Sequence, residues 1–292
     1  MLINYLNLLR VPQWIKNFFV FVPLLFSKHL FDKDFFIISL FAFLIFCLSS
    51  SLIYIINDIV DIEADRAHPD KKNRPLPSGA ITKAKAWIVI FILIIPLVVL
   101  VPQFNVEFSY YVIGFILLNL LYSIWFKHIV ILDIFSIAAG FAIRVLAGAV
   151  VISVPISSWL ILTTMFISLF LGVMKRHSEL ITVAENTNIT SRKVLSQYSL
   201  NFADQMATVA AAGVIICYAL YTVSERTIST FGTENLIYTT PFVVYGIFRF
   251  MYLEYISNKG DNTTKIVFTD LQIILIVLAY TITTILIIYK II

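Results

Sequence analysis

Long runs of apolar residues, interrupted by short polar stretches, dominate this chain. A helix that crosses a membrane needs about 20 mostly apolar residues. Six runs meet that need cleanly: Phe35–Ile56, Ala86–Phe104, Phe108–Phe126, Val154–Met174, Met206–Ser224 and Leu271–Tyr289. Two more carry charges inside them, Ile134–Ile152 with Arg144 and Leu236–Ile256 with Arg249 and Glu254. A shorter stretch, Asn17–Ser27, contains Pro23 and makes a weaker first span. The runs are too long for barrel strands and lack period-two alternation. The pattern predicts an all-α protein: one polytopic membrane bundle of nine transmembrane helices over residues 1–292, without an internal repeat or a separate soluble domain.

Composition agrees. The 292 residues are 60% hydrophobic and 13% charged, whereas soluble domains run near 25% charged. Cys47 and Cys217 each sit inside an apolar run and read as packing residues, silent on redox compartment. The segment MLINYLNLLRVPQWIKN has neither the basic start nor the cleavage site of a signal peptide.

The net charge of +4 matters less than its placement. Of the 21 Lys and Arg, Arg144 and Arg249 lie within spans. With nine crossings the rest divide 15 to 4 between the two sides. Lys and Arg collect on the cytoplasmic side. The expected orientation therefore puts the N-terminus and the long polar loops 57–85, 175–203 and 257–270 in the cytosol of a cell whose plasma membrane holds the chain. Chemistry is expected on that face.

The strongest local signal is Asn57-Asp58-Ile59-Val60-Asp61-Ile62-Glu63-Ala64-Asp65. On a continuing helix Asn57, Asp61 and Asp65 are four apart, and Asp58, Asp61 and Asp65 are three and four apart, so either set shares one face. Neighbouring carboxylates repel one another unless a divalent cation sits among them. Mg²⁺ takes hard oxygen ligands and is held by a few carboxylates plus substrate phosphates. The plainer alternative is a solvated helix end with ordinary acids. A basic, Pro-rich loop follows, Arg66 to Gly79, in which Lys72 and Arg74 are candidate phosphate clamps. His68 alone carries no signal.

NDxxDxxxD followed by a basic RP loop ending in SG resembles the first Asp-rich motif of the UbiA superfamily of intramembrane prenyltransferases, and the resemblance runs along nearly the whole chain. It implies nine helices around a central cavity, with a Mg²⁺-diphosphate site under the cytosolic loops and Asn57, Asp58, Asp61 and Asp65 as metal ligands. Ordinary members carry a second motif, DxxxD. Here the corresponding place, after the sixth span, reads Lys175-Arg176-His177-Ser178-Glu179-Leu180 and is mainly basic. Together with Arg10-Val11-Pro12-Gln13-Trp14-Ile15-Lys16-Asn17, the Tyr122-to-Lys127 end of span 4 and the Tyr198–Met206 segment, this is similar to the polyprenyl-phosphate phosphoribosyltransferase branch. The branch implies transfer of a phosphoribosyl group from phosphoribosyl diphosphate to a polyprenyl phosphate, with release of diphosphate. The alternative is ordinary prenyl transfer from a polyprenyl diphosphate to an aromatic or other acceptor.

The chemistry of the two substrates suits one acidic and one basic motif. The donor is a small, highly anionic sugar that needs metal and cations. The acceptor is a lipid monophosphate, already anionic near neutral pH, that needs cations and an apolar groove but no strong base. On this reading Asp58 and Asp61, with Lys127 and Tyr122, are the expected catalytic residues. Lys16, Asn17, Lys72, Arg74, Arg144, Lys175, Arg176 and Glu179 are the expected substrate contacts. Two readings stay open for Tyr122, a hydrogen-bond donor or a member of the interfacial aromatic belt. Arg144 lines the cavity floor or pairs with a carboxylate, since a charge at that depth must face the bundle interior. Arg249 snorkels or pairs with Glu254. Asp133, Asp204 and Asp270 sit where helix N-termini favour acids. A transporter would show inverted repeats and charges spread through the membrane depth, and neither is visible. Nothing points to nucleic acid, and the sequence does not define an oligomeric state.

Overall fold

A computed structural model describes residues 2–67, 71–185, 193–256 and 269–290. His68 and the loop cations Arg192, Lys259 and Lys265 lie outside the described residues. Among the described residues regular structure is helical throughout. Eight helices are long and apolar enough to cross a membrane. They are α1 (Lys33–Val60), α2 (Lys83–Leu100), α3 (Val106–Ile124), α4 (Leu132–Val151), α5 (Ser158–Glu185), α6 (Leu200–Val223), α7 (Thr240–Tyr255, prolonged at its start by a 3-10 turn, Asn235–Thr239) and α8 (Leu271–Ile288).

The ninth expected crossing is built differently. Val11–Phe21 forms 11 residues of 3-10 helix and Val22–Leu25 adds 4 of α-helix. As α-helix this rod would be too short to span. The 3-10 form rises about 2.0 Å per residue against about 1.5 Å, so the rod reaches about 28 Å, close to the roughly 30 Å hydrocarbon core. The nine-span reading rests on this stretched element.

Polar side chains start the helices: Asp32, Thr82, Asn105, Ser199 and Asp270 each accept from backbone N–H groups of the first turn. Two helices run further than their apolar runs. α1 continues to Val60 and carries Asn57 and Asp58 itself, and α5 continues past Met174, which places Lys175–Glu179 on a helix. More than half of the spanning windows of α1 and α4 is buried, against 22% for α2, α3 and α8. The outer face of α2 exposes Trp87, Ile88, Phe91, Ile95 and Val98. Such a surface belongs in lipid, and the chain is an integral membrane protein.

The rod lies between α1 and α4. At Gly148 a Cβ would fall 2.1 Å from the Val20 carbonyl oxygen, so only glycine lets α4 come this close. Arg144, one turn earlier on α4, is thereby pressed against Asn17 of the rod. Successive crossings alternate in direction. As a result Asp61, Lys127, Asp133, Arg176, Tyr198, Glu254 and Asp270 gather at one end of the bundle. At the other end Tyr289 accepts from the Leu30 N–H and packs on Phe31, closing the last helix onto the start of α1.

Candidate active site

α1 breaks at Asp61, and a short helix, Ile62–Ala67, continues its line, with the Asp65 N–H donating to the Asp61 carbonyl at 2.8 Å. Asp58 and Asp65 are brought together across the break, since both reach Arg74. Asp58 and Asp65 are buried, while the Asp61 side chain is 40% exposed. Every carboxylate meets a cation. Arg74 Nη1 lies 2.7 Å from Asp65 Oδ2 and 3.3 Å from Asp58 Oδ1. Arg10 also pairs with Asp58, Lys71 Nζ stands 3.7 Å from Asp65 Oδ1, and Lys127 Nζ reaches both Asp61 oxygens at 3.0 and 3.1 Å. Arg74 and Lys127 are thereby brought against the acidic motif. Lys72 is exposed on the 3-10 turn Lys71–Asn73 and makes none of these contacts, while Lys71 makes one.

The donor set suits a hard divalent cation. Asp58, Asp61 and Asp65 offer only oxygen, and the Asn57 Oδ1 is buried without a hydrogen-bond partner, an acceptor held ready for a ligand. Among the described residues no His/Cys/Asp/Glu group has the geometry of a formed metal site. Four cations, Arg10, Lys71, Arg74 and Lys127, currently balance the three carboxylates.

The second motif is held by a different acid. Arg176 is completely buried. Its Nε lies 2.9 Å from Asp133 Oδ2, and it pairs with Glu179 one turn on. Asp133 is thus the counterion of the second motif as well as an acid in the first turn of α4. Tyr198 completes the arrangement: its hydroxyl donates to Asp133 Oδ1 and accepts from the Ile131 N–H, both at 2.7 Å. Ile131 itself has φ of 71°, a left-handed backbone that β-branched residues rarely adopt. Burial, then the Asp133 carboxylate, raise the Tyr198 phenol above its ordinary range. Arg176 Nη2 is buried with no hydrogen-bond partner, and Lys175 beside it is exposed.

Deeper in the bundle Arg144 donates from Nε to Asn17 Oδ1 at 2.7 Å and from Nη1 to the Gly140 carbonyl at 2.9 Å. Its guanidinium also covers the Phe115 ring. The carboxylate partner allowed for it is absent among the described residues. Arg249 is corrected as well: it pairs with Asp270 at 2.8 Å, not with Glu254. Five positions along a helix turn a side chain about 140° away, so Glu254 faces inward, 3.9 Å from His177 Nδ1. Asp204 Oδ1 lies 3.3 Å from the other imidazole nitrogen.

Arg10, Lys71, Asp133 and Tyr198 are the site residues that the sequence reading did not assign. Arg10 and Tyr198 stood in motifs already singled out. Lys71 and Asp133 gave no signal beyond a loop cation and a helix-start acid.

Comparison with known proteins supports the same picture. Residues 18–271 match the UbiA prenyltransferase family. The chain is 34% identical over 220 residues to a decaprenyl-phosphate phosphoribosyltransferase of Mycolicibacterium smegmatis, covering 74% of this chain and 69% of that protein. It is also 34% identical to the Corynebacterium glutamicum protein of the same name, over 73% of this chain and 65% of that one. In fold it is similar to a UbiA homolog from Archaeoglobus fulgidus solved with DMAPP and Mg²⁺, with a TM-score of 0.71 at 16% identity, covering 98% and 99% of the two chains.

Proposed function

This chain belongs to the UbiA prenyltransferase family, and from that premise we propose that it transfers a 5-phosphoribosyl group from phosphoribosyl diphosphate to a polyprenyl phosphate, releasing diphosphate. One observation carries the choice within the family. Where ordinary members have a second acidic motif, this chain presents Lys175 and Arg176, with Arg176 pinned by Asp133 and Glu179. A site that must hold two phosphate-bearing substrates needs this added positive charge. The names of the relatives from M. smegmatis and C. glutamicum point the same way.

The diphosphate of the donor is assigned to the acidic motif. Mg²⁺, bound by Asn57, Asp58, Asp61 and Asp65, would neutralise charge on the departing diphosphate. Arg74, Lys127 and Arg10 are the chain's own cations at that place and exchange part of their pairing with Asp58, Asp61 and Asp65 for phosphate oxygens. The bond between the anomeric carbon and the diphosphate oxygen breaks, and a lipid phosphate oxygen forms the new bond to that carbon. The nucleophile is already anionic, so catalysis is positioning and charge stabilisation. On this reading Tyr122 and Arg176 Nη2, which is buried without a hydrogen-bond partner, are the donors assigned to the acceptor phosphate. The reading places the protein in the plasma membrane with this end in the cytosol, where the water-soluble donor is made.

The test is direct. Membranes containing the protein are incubated with labelled phosphoribosyl diphosphate, polyprenyl phosphate and Mg²⁺, and the lipid extract is counted. Label in the lipid is the expected result. Label passing instead from a prenyl diphosphate to an aromatic acceptor, with none from the ribosyl donor, would replace this reading by ordinary prenyl transfer.

A further inference from the structure

Two cations sink into the bundle with no anion beside them among the described residues. Arg144 is 7% exposed. Its partners are Asn17 Oδ1, the Gly140 carbonyl and the faces of Phe115 and Phe141, at 4.4 and 5.3 Å from the ring centroids. All are neutral and leave the charge uncompensated. Lys16, on the same rod as Asn17, is half-buried and near enough to Arg144 and Arg10 to be repelled by both. Among the described residues neither Lys16 nor Arg144 has a carboxylate within ion-pair distance. The acids of the first motif are taken by Arg10, Arg74, Lys71 and Lys127.

Like charges gathered inside a membrane bundle are costly, and such residues mark ligand paths. Here the rest of the packing is arranged to keep them together. Gly148 lets α4 touch the rod, and Asn17, fixed by Ser50 and Cys47, holds Arg144 in place. Lys16 is the more exposed of the two and Arg144 the more buried.

We infer that Lys16 and Arg144 form a metal-free subsite for a phosphate monoester, separate from the diphosphate position at the acidic motif. This rests on the phosphoribosyl-transfer reading, under which both substrates carry such a group: the 5-phosphate of the donor and the headgroup of the lipid acceptor. A phosphomonoester carries between one and a half and two negative charges near neutral pH, which matches two cations. An Arg–phosphate contact is charge-assisted and stronger than a neutral hydrogen bond. A diphosphate would bring more charge than the pair balances and is served by the acidic motif instead.

The experiment is a thermal-shift titration of the purified full chain in detergent with EDTA present. The probes are ribose 5-phosphate and farnesyl phosphate, with ribose and farnesol as phosphate-free controls. One of the two phosphates is expected to raise the melting temperature without metal. Ribose 5-phosphate would assign the subsite to the donor, farnesyl phosphate to the acceptor. Lys16→Gln is expected to weaken that probe at least tenfold and Lys16→Arg to retain it. Among the described residues Lys16 has no ion-pair partner to lose, so both variants should fold. The inference is overturned if neither phosphate binds in EDTA, if the phosphate-free controls bind equally well, or if Lys16→Gln binds like the unaltered protein. Binding lost in Lys16→Gln, in a protein that transfers no ribosyl label, would leave the subsite standing and remove the transfer reading.

Discussion

Arg176 Nε stands 2.9 Å from Asp133 Oδ2, and neither side chain is open to solvent. A buried pair is not by itself a source of stability, but removing one partner leaves a bare charge inside and costs about 3–5 kcal/mol. Arg176→Ala is therefore expected to lower the melting temperature sharply or to abolish folding, and Asp133→Ala to do the same. Lys175→Ala, at an exposed position on the same turn, should shift stability by less than about 1 kcal/mol. Thermal melts in detergent decide it. An Arg176→Ala protein that melts with the parent would show that the pair does not hold α4 to α5.

The eight long spanning helices and the spacing of the acidic motif were legible because each is a matter of spacing within one segment: apolar length for the helices, three and four residues for Asn57, Asp58, Asp61 and Asp65. The partners were not. Asp133 and Arg176 lie on successive helices, and nothing in either local sequence says that they meet. Lys72 and Lys71 differ by one position, and a 3-10 turn decided which of them reaches Asp65. Arg10 adopts a left-handed backbone with φ of 52° at the start of the rod. That bend, which the sequence does not announce, delivers it to Asp58. Arg249 has Glu254 nearby in sequence, yet the packing of α7 on α8 gives it Asp270.

The Arg249–Asp270 pair predicts a pH effect. The Arg249 hydrogen bond holds the Asp270 carboxyl below its ordinary range. A depressed folded-state value contributes stability above the unfolded value of about 4, and that contribution is lost as pH falls through the folded value. Asp270→Asn keeps the helix cap, since Asn caps about as well as Asp, and removes only the charge. The melting difference between this variant and the parent should be present at pH 7, shrink below about pH 4 and vanish in stronger acid. It should be small, because the pair is near the surface. A difference independent of pH would assign the effect to the cap.

Orientation is open to chemical labelling. Ser78 lies exposed in the loop beside the acidic motif, and Glu234 is exposed at the opposite end. Cys47 and Cys217 are buried and should give little background. In intact cells a membrane-impermeant maleimide is expected to label Glu234→Cys, while Ser78→Cys should react only after the cells are opened. The reverse pattern would place the site outside the cytosol and remove the ready supply of a soluble sugar donor.

Asp61 and Lys127 separate a functional contact from a structural one. Their ion pair is partly exposed, with side chains at 40% and 17%. Such pairs contribute about 0–1 kcal/mol to stability, which is less than one decade in any equilibrium. Asp61→Asn and Lys127→Ala should therefore melt close to the parent protein. A role in the reaction is far more demanding. Altering even the outer partners of a metal ligand typically costs about 10–100-fold, so losing a ligand itself should cost at least that in turnover. Asp61→Asn is expected to fall by about 100-fold or more in lipid labelling at unchanged melting temperature, and extra Mg²⁺ should recover part of the loss. Lys127→Ala should lose activity that added metal does not restore, because it removes a cation of the chain and not a ligand. EDTA should silence the parent protein, and Mg²⁺ should revive it. Full activity in Asp61→Asn, or labelling that survives EDTA, would take the metal away from this motif and leave the diphosphate to the chain's own cations, Arg10, Lys71, Arg74 and Lys127.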